Sequence, residues 1–359
     1  MAQYQIIPRT PVHIGNGISL SHRVDYIIDR DIKDNECAWY VDKTKLSTVL
    51  QERNLQDAFE DAVFHAKPLT QFIKETNIKA KAIAKSDSIF IAIDDLNDKE
   101  FRQFIHTNGK VYLPGTTVKG AFHNALYYHW LANTKDGSLR LNEIKKKISQ
   151  EKQAWALKDL NNESKGFTPN SMNSCMKLLS VSDSSVLSRD NALMIDNARR
   201  LNVRTDIGSE IPICAEYLDP SLEPIFTLNI DFLAKSIRQI DIPKGFPETE
   251  EQVLAQLQFF NRKTIDLMLE KMKSAHRKYS EQLIDIKNEI SNGINFIRLG
   301  SGKTFHFNTV SALLGREFDL ARKNLKKEFG KGSDAFVFPS TISLIEGSHL
   351  GWCEIKKIT

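Results

Sequence analysis

The sequence lacks the features that mark secreted, membrane-spanning and metal-binding chains. Its four cysteines form no CxxC pair and have no histidine at metal-ligand spacing, which argues against a zinc site and a disulfide framework. They are Cys37, Cys175, Cys214 and Cys353. No stretch approaches about 18 apolar residues, and the first residues lack the apolar core of a signal peptide. We therefore expect a soluble, cytoplasmic protein with no cofactor, no metal ion and no membrane contact.

The sequence also lacks the short motifs of common hydrolases. No GxSxG, HExxH or HD-type metal motif is present. The segment LGSGKT, residues 299–304, ends like a nucleotide-binding Walker A loop, but the full motif needs a glycine at the position of Ile297. Nucleoside triphosphate hydrolysis is therefore disfavoured. A glycine turn with one lysine can still hold a single phosphate, and a plain turn is the alternative.

Length and composition are ordinary for a globular protein of two domains. The chain has 359 residues, of which 41% are hydrophobic and 26% are charged. Such a chain can bury a sizeable core. The formal net charge of +4 permits a nucleic-acid partner but does not require one, because many lysine-rich surfaces give the same value.

The order of predicted elements indicates an α+β chain. Strands are predicted at residues 3–14, 26–28, 38–41, 88–94, 111–113, 193–203, 210–217, 225–232, 295–298, 336–339 and 350–358. Helices are predicted at 44–59, 62–75, 118–130, 248–291 and from the second glycine turn to Arg322. This order suits two ferredoxin-like (RRM-like) domains, residues 1–206 and 207–359, with a helical insertion near 134–174. One sheet face of such a domain is a common platform for RNA.

The stretch Lys110–Trp130 combines a strand, a break and a helix. After the break at Pro114–Gly115, the pair Thr116–Thr117 is predicted to cap a helix with one apolar face. Lys119 and His123 lie four residues apart on another face. A helix N-terminus with a lysine in its first turn suits a phosphate. The alternative is an ordinary turn with a solvated lysine.

Several histidines and basic residues admit two interpretations. His13 and His22 lie near the predicted turn Gly15–Gly17, and a histidine base with a nearby lysine would suit metal-independent RNA cleavage. His306 follows the second glycine turn in the same way. Histidines beside strands are more often packed, and the run Lys145–Lys147 is more often a solvated helix face than a docking patch.

Five segments in chain order resemble the repeat-associated mysterious proteins (RAMPs) of CRISPR systems. They are PVHIGNG (11–17), YLPGTTVKGAFHNALYYHW (112–130), SVSDSS (180–185), FIRLGSGK (296–303) and LGW (350–352). Each segment is short, and the resemblance is carried by all five in order. It is strongest to the RAMP subunits of the type III-A (Csm) effector complex, and among them to the subunit that caps the head of the filament.

The resemblance implies a non-catalytic subunit that binds CRISPR RNA (crRNA). Such a subunit contacts the 3′ region of the crRNA and the last copy of the repeated backbone RAMP subunit, and it is required for crRNA 3′-end maturation and antiviral defence. A small helical Csm subunit, host trimming nucleases and the 5′ end of the target RNA are the further partners it implies. Two alternatives stay open: a metal-independent endoribonuclease that processes CRISPR repeats, and the RAMP subunit that holds the crRNA 5′ tag.

The expected RNA-binding positions lie in three glycine turns and among the arginines at residues 199–204. They are Gly15, Asn16, Gly17, Gly115, Thr116, Thr117, Lys119, Gly120, His123, Arg199, Arg200, Gly300, Ser301, Gly302 and Lys303. The resemblance carries the glycine-turn positions. Relatives often have arginine where this chain has His123, which weakens the phosphate contact there or shifts it to Lys119.

Overall fold

The computed structural model describes residues 2–93, 96, 98–151, 175–202, 212–232, 244–272, 277–303, 305–308, 310–315, 317 and 341–358. The strands are β1 (Ala2–Pro8), β2 (Gly15–Leu20), β3 (Tyr26–Arg30), β4 (Glu36–Val41), β5 (Ala84–Ile91), β6 (Phe101–Phe104), β7 (His106–Thr107), β8 (Lys110–Val111), β9 (Leu179–Val181), β10 (Leu187–Ser188), β11 (Leu193–Asn202), β12 (Ile213–Leu218), β13 (Phe226–Phe232), β14 (Phe296–Arg298), β15 (Thr341–Ile345), β16 (Ser348–His349) and β17 (Trp352–Lys357). The helices are α1 (Lys43–Glu52), α2 (Gln56–Phe64), α3 (Leu69–Glu75), α4 (Ala80–Ile83), α5 (Gly115–Asn133), α6 (Lys135–Glu151), α7 (Glu250–Lys271), α8 (Arg277–Ser291) and α9 (Phe305–Asn308).

The first sheet has five strands in the order β14-β17-β1-β13-β9, and every neighbouring pair is antiparallel. Four of these strands and two helices follow one another in the β-α-β-β-α-β order of a ferredoxin-like unit, with other elements inserted between them. They are β1, α5, β9, β13, α7 and β17. We refer to it as the ferredoxin-like sheet. Alternation specifies its strands: Tyr4 and Ile6 of β1, and Phe226 and Leu228 of β13, are fully or almost fully buried.

Helices α5 and α7 pack against each other and against this sheet. The ring of Phe122 meets Phe232 edge to face at 5.5 Å, and the ring of Tyr128 meets Phe260 of α7 at 5.1 Å. Aromatic pairs in this arrangement add to the free energy gained by burying their area. The apolar stripe of α5 predicted from its sequence is therefore the core of this unit, with Val118 and Ala125 fully buried.

The second sheet follows the order β2-β6-β12-β11-β5-β4-β3, and β15 and β16 continue from β11. Helices α1 to α4 cover strands β3 to β5 and bury their own apolar cluster, which includes Leu46, Leu50, Phe72 and Ile73. A small third sheet has the order β10-β8-β7. The chain is thus α+β, as the order of elements predicts.

The two sheets draw strands from both predicted domains. β1 pairs with β13 and β17, and β11 pairs with β15, so residues before 206 and after 207 share sheets. The division into 1–206 and 207–359 stays a prediction. Helix α6 begins the predicted insertion near 134–174, whose residues 152–174 lie outside the described part of the chain.

Most strand predictions are confirmed, whereas several helices end earlier than predicted. The segment 44–59 contains two helices, since Asn54 adopts a left-handed backbone with φ of 54°. The segment 62–75 breaks between α2 and α3, where Ala66 has φ of 59° and Pro68 disfavours helix in the residue before it. Helix α7 begins after the cap Thr249, and α8 ends before Gly293 as predicted.

The predictions for the region after the second glycine turn are tested only in part. The helix predicted to reach Arg322 begins as the four-residue α9 and a 3₁₀ turn at Ser311–Leu313. Residues 318–340, with the strand predicted at 336–339, lie outside the described part. The last strand begins at Trp352, directly after the Leu350–Gly351 turn.

The predicted turn Gly15–Gly17 is part of a strand, and that prediction is wrong. Gly15 pairs with Phe104 and Ser19 pairs with Arg102. An advance of four residues along β2 therefore matches an advance of only two residues along β6. This irregularity is a β-bulge, in which Gly17 adopts φ of 86°. A glycine pair inside a strand marks a bulge as well as a turn, which explains the error.

Candidate nucleic-acid interface

The N-terminus of α5 is closed by a carboxylate from the motif SVSDSS. The backbone N–H of Gly115 donates to Oδ1 of Asp183 at 2.8 Å, and Pro114 occupies the cap position without a side-chain hydrogen bond. The predicted Thr116–Thr117 cap is therefore wrong. A Cβ on Gly115 would lie 2.4 Å from the carbonyl oxygen of Val181, so only glycine fits here. The N–H of Gly115 is therefore not available to a phosphate at this helix N-terminus.

The outer face of α5 keeps the other predicted positions near the surface. Lys119 and His123 are half-buried, while Thr116 and Gly120 are exposed. Burial lowers the pKa of Lys119, and no ion pair to Lys119 exists among the described residues. The ring of His123 lies 6.3 Å from that of Tyr127. Lys119 is thus a cation whose charge no described carboxylate neutralises.

Three of the five motifs meet through backbone hydrogen bonds. The N–H of Ser301 donates to the carbonyl of His13 at 2.7 Å, the N–H of Leu299 to Gly351 at 2.8 Å, and the N–H of Gly351 to Pro11 at 2.9 Å. These bonds join residues 11–17, 299–303 and 350–352 into one junction. We call it the three-loop junction.

Glycine is required at the centre of the three-loop junction. Gly300 has φ of 71°, and a Cβ there would lie 2.3 Å from the carbonyl oxygen of His13. Gly351 has φ of 91°, and a Cβ there would lie 2.3 Å from the carbonyl oxygen of Leu299. These glycines allow backbone segments to touch, because a side chain would separate them.

Two cations lie beneath the glycine-rich loop. The guanidinium of Arg298 is 4.2 Å from the ring centroid of Phe307 and 5.2 Å from that of Trp352, and its Nε donates to the carbonyl of Leu350 at 3.0 Å. Nζ of Lys303 donates to the carbonyl of Arg298 at 3.4 Å. Burial lowers the pKa of Lys303 to about 8.

No carboxylate in the described part of the chain pairs with Arg298 or Lys303. Buried charges are ordinarily paired. Two adjacent positive charges without a counter-ion make the surface of the loop attractive to an anion. The amine of Lys303 points inward in this structure, toward the Arg298 carbonyl. The prediction that Lys303 contacts a phosphate supposed instead that the amine faces solvent.

All five motifs have residues at the same end of the ferredoxin-like sheet. β14 ends at the loop 299–303, β17 starts after 350–352, and β1 leads into 11–17. On the other side of the sheet, β9 ends at the loop 182–185, which pairs with the start of β13 and holds the N-terminus of α5. We call this line of loops the loop row. Four strand spacings separate β14 from β9, so the loop row is about 19 Å long.

The arginines Arg199 and Arg200 lie elsewhere, on strand β11 of the second sheet. Arg199 pairs with Leu344 and Arg200 with Ser343 of β15, and both side chains are exposed. Successive residues of a strand face opposite sides, so one site cannot use both in the same way. Arg204 lies outside the described residues.

The histidines considered as general bases are buried. His13 is 5% exposed, His22 is 7% exposed and His306 is 3% exposed. Nδ1 of His13 lies 2.7 Å from the carbonyl oxygen of Glu216, and burial lowers the pKa of the ring. His13 therefore fixes the three-loop junction, with its own carbonyl holding Ser301.

A buried polar network behind His13 was missed by sequence reasoning. The carboxylate of Glu216 is fully buried, contacts the hydroxyl of Tyr40 and accepts from the N–H of Phe104 at 2.7 Å. Burial raises the pKa of Glu216 to about 7. Arg189 lies 4.2 Å above the ring of Tyr40 and pairs with Asp87 at 3.0 Å. The only sequence signal was one glutamate inside the apolar strand ICAEYL.

The fold and the loop row define a ferredoxin-like protein whose glycine loops gather at one end of a sheet. The model of the RAMP superfamily matches residues 6–306. The chain belongs to the RAMP superfamily.

Solved structures show the same fold. One is a chain of the cryo-EM structure of a Csm–crRNA–target RNA ternary complex from a type III-A CRISPR-Cas system, with a TM-score of 0.72 and 17% identity over 99% of this chain and 100% of that chain. Another is the crystal structure of Csm5 from T. onnurineus, with a TM-score of 0.59 and 16% identity over 99% of this chain and 100% of that chain. No curated protein sequence matches.

The described residues contain neither a membrane-spanning helix nor a metal-binding cluster. No helix there is long and apolar enough to cross a membrane. No group of three or more histidine, cysteine, aspartate or glutamate side chains there could hold a metal ion.

Proposed function

We propose that the chain is a non-catalytic, RNA-binding subunit of a type III-A Csm effector complex. In that role it caps the end that holds the 3′ region of the crRNA, next to the last backbone RAMP subunit, and is required for crRNA 3′-end maturation and so for antiviral defence. Its membership of the RAMP superfamily and a fold shared over its whole length with two Csm proteins support this role.

The observation that carries the proposal is the loop row with its unneutralised cations. Lys119 and the pair Arg298 and Lys303 lie along one end of the ferredoxin-like sheet. Contacts of this kind hold a sugar–phosphate backbone without selecting bases, as a subunit that accepts any spacer sequence must. The length of about 19 Å suits a few nucleotides of extended strand.

The first experiment is assembly of the complex without this chain. We expect crRNA that is longer or heterogeneous at its 3′ end, because trimming nucleases then act on an end that no subunit positions. The measurement is the length of crRNA extracted from complexes purified with and without the chain. Unchanged length together with unchanged assembly would show that the proposal is wrong.

The second experiment tests direct phosphate contact. Lys119→Gln and Lys303→Gln should each weaken binding of single-stranded RNA and lower the slope of affinity against salt by about one ion. Lys356→Gln is the matched control, since Lys356 is exposed on β17 near the opposite end of the sheet. A salt slope equal to that of the control would argue against phosphate contacts at the loop row.

Two outcomes would assign a different role. One defined cut in repeat RNA, made by the purified chain in EDTA, would identify a metal-independent endoribonuclease, although His13, His22 and His306 are buried. A position beside the crRNA 5′ tag in an assembled complex would identify the tag-holding subunit. Contacts with the small helical subunit and with the 5′ end of the target RNA would be seen in the same assembled complex.

A further inference from the structure

A cavity lies at the far end of α5 from the loop row. It has a volume of about 570 Å³, opens to solvent, and is lined by His129 on α5, by residues 245–248 and by one stripe of α7. His129 is 14 residues beyond Gly115, which places the cavity about 21 Å along the helix from the loop row. The volume is within the range of small-ligand sites. None of the positions predicted to bind RNA lines it.

Aromatic rings form one wall of the cavity. The rings of His129 and Phe259 meet edge to face at 5.4 Å, and Phe246 lines the cavity beside them. Nζ of Lys263 lies 5.7 Å from the ring centroid of Phe259. Phe259 is half-exposed, so part of its ring is open to a ligand. An accessible aromatic ring beside a cation is the usual surface on which a nucleic-acid base stacks.

The polar groups of the cavity have unused hydrogen-bonding capacity. Nδ1 of His129 is buried without a hydrogen-bond partner, and among the described residues neither Arg262 nor the amide of Gln256 has one. Burial lowers the pKa of His129, so its neutral ring offers one donor and one acceptor nitrogen. Buried polar groups without partners are rare in folded proteins. A ligand with hydrogen-bonding groups and a negative charge would bond to the half-exposed guanidinium of Arg262 and to the amide of Gln256.

We propose that this cavity holds one unstacked nucleotide of single-stranded RNA. The base lies against Phe259 and His129, Gln256 bonds to the base edge, and Arg262 binds the phosphate. The inference rests on the proposed RNA-binding function and adds a second contact to it, on the helical side of the ferredoxin-like sheet. A strand that occupies both the loop row and the cavity must run along α5.

The experiment measures binding of adenosine 5′-monophosphate, uridine 5′-monophosphate and inorganic phosphate to the full-length chain by isothermal titration calorimetry. Both nucleotides should bind and inorganic phosphate should bind more weakly, since stacking is absent. Phe259→Leu keeps an apolar side chain of similar size but removes the stacking face, so it should weaken nucleotide binding roughly 5- to 150-fold. Arg262→Gln should weaken nucleotide binding and lower the salt slope for RNA by about one.

Matched controls separate local from general effects. Phe64→Leu changes a phenylalanine that is 83% exposed on α2, and Arg30→Gln removes the same charge from the β3–β4 hairpin. Neither control should alter nucleotide binding. Circular dichroism of each variant shows whether it is folded. If Phe259→Leu does not fold, Gln256→Ala is a second variant that tests the same site.

The outcomes distinguish the two proposals. RNA binding that depends on Lys303 but is unchanged in Phe259→Leu and Arg262→Gln would overturn the cavity assignment and leave the proposed function standing. Absence of RNA binding by the unaltered chain and by its assembled complex would overturn the proposed function. Loss of binding to the backbone subunit, with nucleotide and RNA affinity unchanged in Phe259→Leu, would show that a protein side chain fills the cavity and would also overturn the inference.

Discussion

Two glycines of α5 should respond in opposite ways to replacement by alanine. A Cβ on Gly115 would lie 2.4 Å from the carbonyl oxygen of Val181 and 2.7 Å from that of Ser182, both backbone atoms that cannot move aside independently. A Cβ on Gly120 meets no atom within 4 Å. Both residues belong to the same helix and the same motif, so the pair isolates steric contact from helix propensity.

The expected magnitudes follow from these contacts. Gly120→Ala should stabilise the protein by about 1 kcal/mol, which is the difference in helix propensity between the two residues. Gly115→Ala forces the loop at 181–183 away from α5, which costs about 1–3 kcal/mol for overpacking and about 1 kcal/mol for the lost hydrogen bond from the residue-115 N–H to Asp183. The gain in helix propensity applies to both variants, so they should differ by the steric and hydrogen-bond costs alone, which are about 2–4 kcal/mol.

Urea unfolding followed by circular dichroism measures this difference. A Gly115→Ala variant as stable as the unaltered chain would show that the N-terminus of α5 does not pack against Val181. A destabilised Gly120→Ala variant would show that another segment covers Gly120. RNA affinity should be measured for the same variants. If Gly120→Ala is more stable but binds RNA more weakly, RNA lies against this surface of α5.

Two further predictions concern carboxylates: the exposed Asp183 at the N-terminus of α5 and the buried Glu216 of β12. Asp183→Ala should cost about 1 kcal/mol of unfolding free energy, and Asp183→Asn less, because asparagine keeps the acceptor for Gly115 and loses only the charge at the helix N-terminus; the same urea assay measures both. For Glu216, the folded pKa of about 7 exceeds the unfolded value of about 4.3, so its contribution to stability is complete below the unfolded pKa and is lost as pH rises through 7. The free energy of unfolding of Glu216→Gln, relative to that of the unaltered chain, should rise by up to about 3 kcal/mol between pH 4 and pH 8. If the difference between the two free energies is the same at both pH values, the raised pKa is contradicted.

The strands could be predicted from the sequence because each has its own pattern. Alternation marks β13 and β-branched residues mark β5, and both patterns are local. The order of strands in the sheets depends on pairing between distant residues, such as Ile6 of β1 with Ile355 of β17. No local pattern contains that information, so the sequence could not predict which strands pair in the ferredoxin-like sheet.

Several of the predicted RNA-binding positions lie together in the fold, and their binding of RNA stays a prediction. The motifs pointed to Gly115, Gly300 and Lys303, and all three lie along the loop row. The backbone amides of the two glycines and the amine of Lys303 were expected to face a phosphate. In the structure Asp183 occupies the amide of Gly115, and Lys303 donates to a backbone carbonyl. These partners are set by tertiary contacts, and glycine or lysine in a turn has the same sequence pattern with or without them.

Backbone contacts within the protein therefore require the glycines of these motifs, apart from any role in RNA binding. The carbonyl of His13 holds Ser301, the ring of His13 is held by the backbone of Glu216, and Glu216 belongs to the second sheet. The second sheet thus fixes a loop of the first. A loop held in this way loses little conformational freedom when a ligand binds, and that lowers the cost of binding. The same contacts that exclude any residue but glycine at position 300 thus hold the loop row in a fixed shape, as the proposed binding of an RNA strand requires.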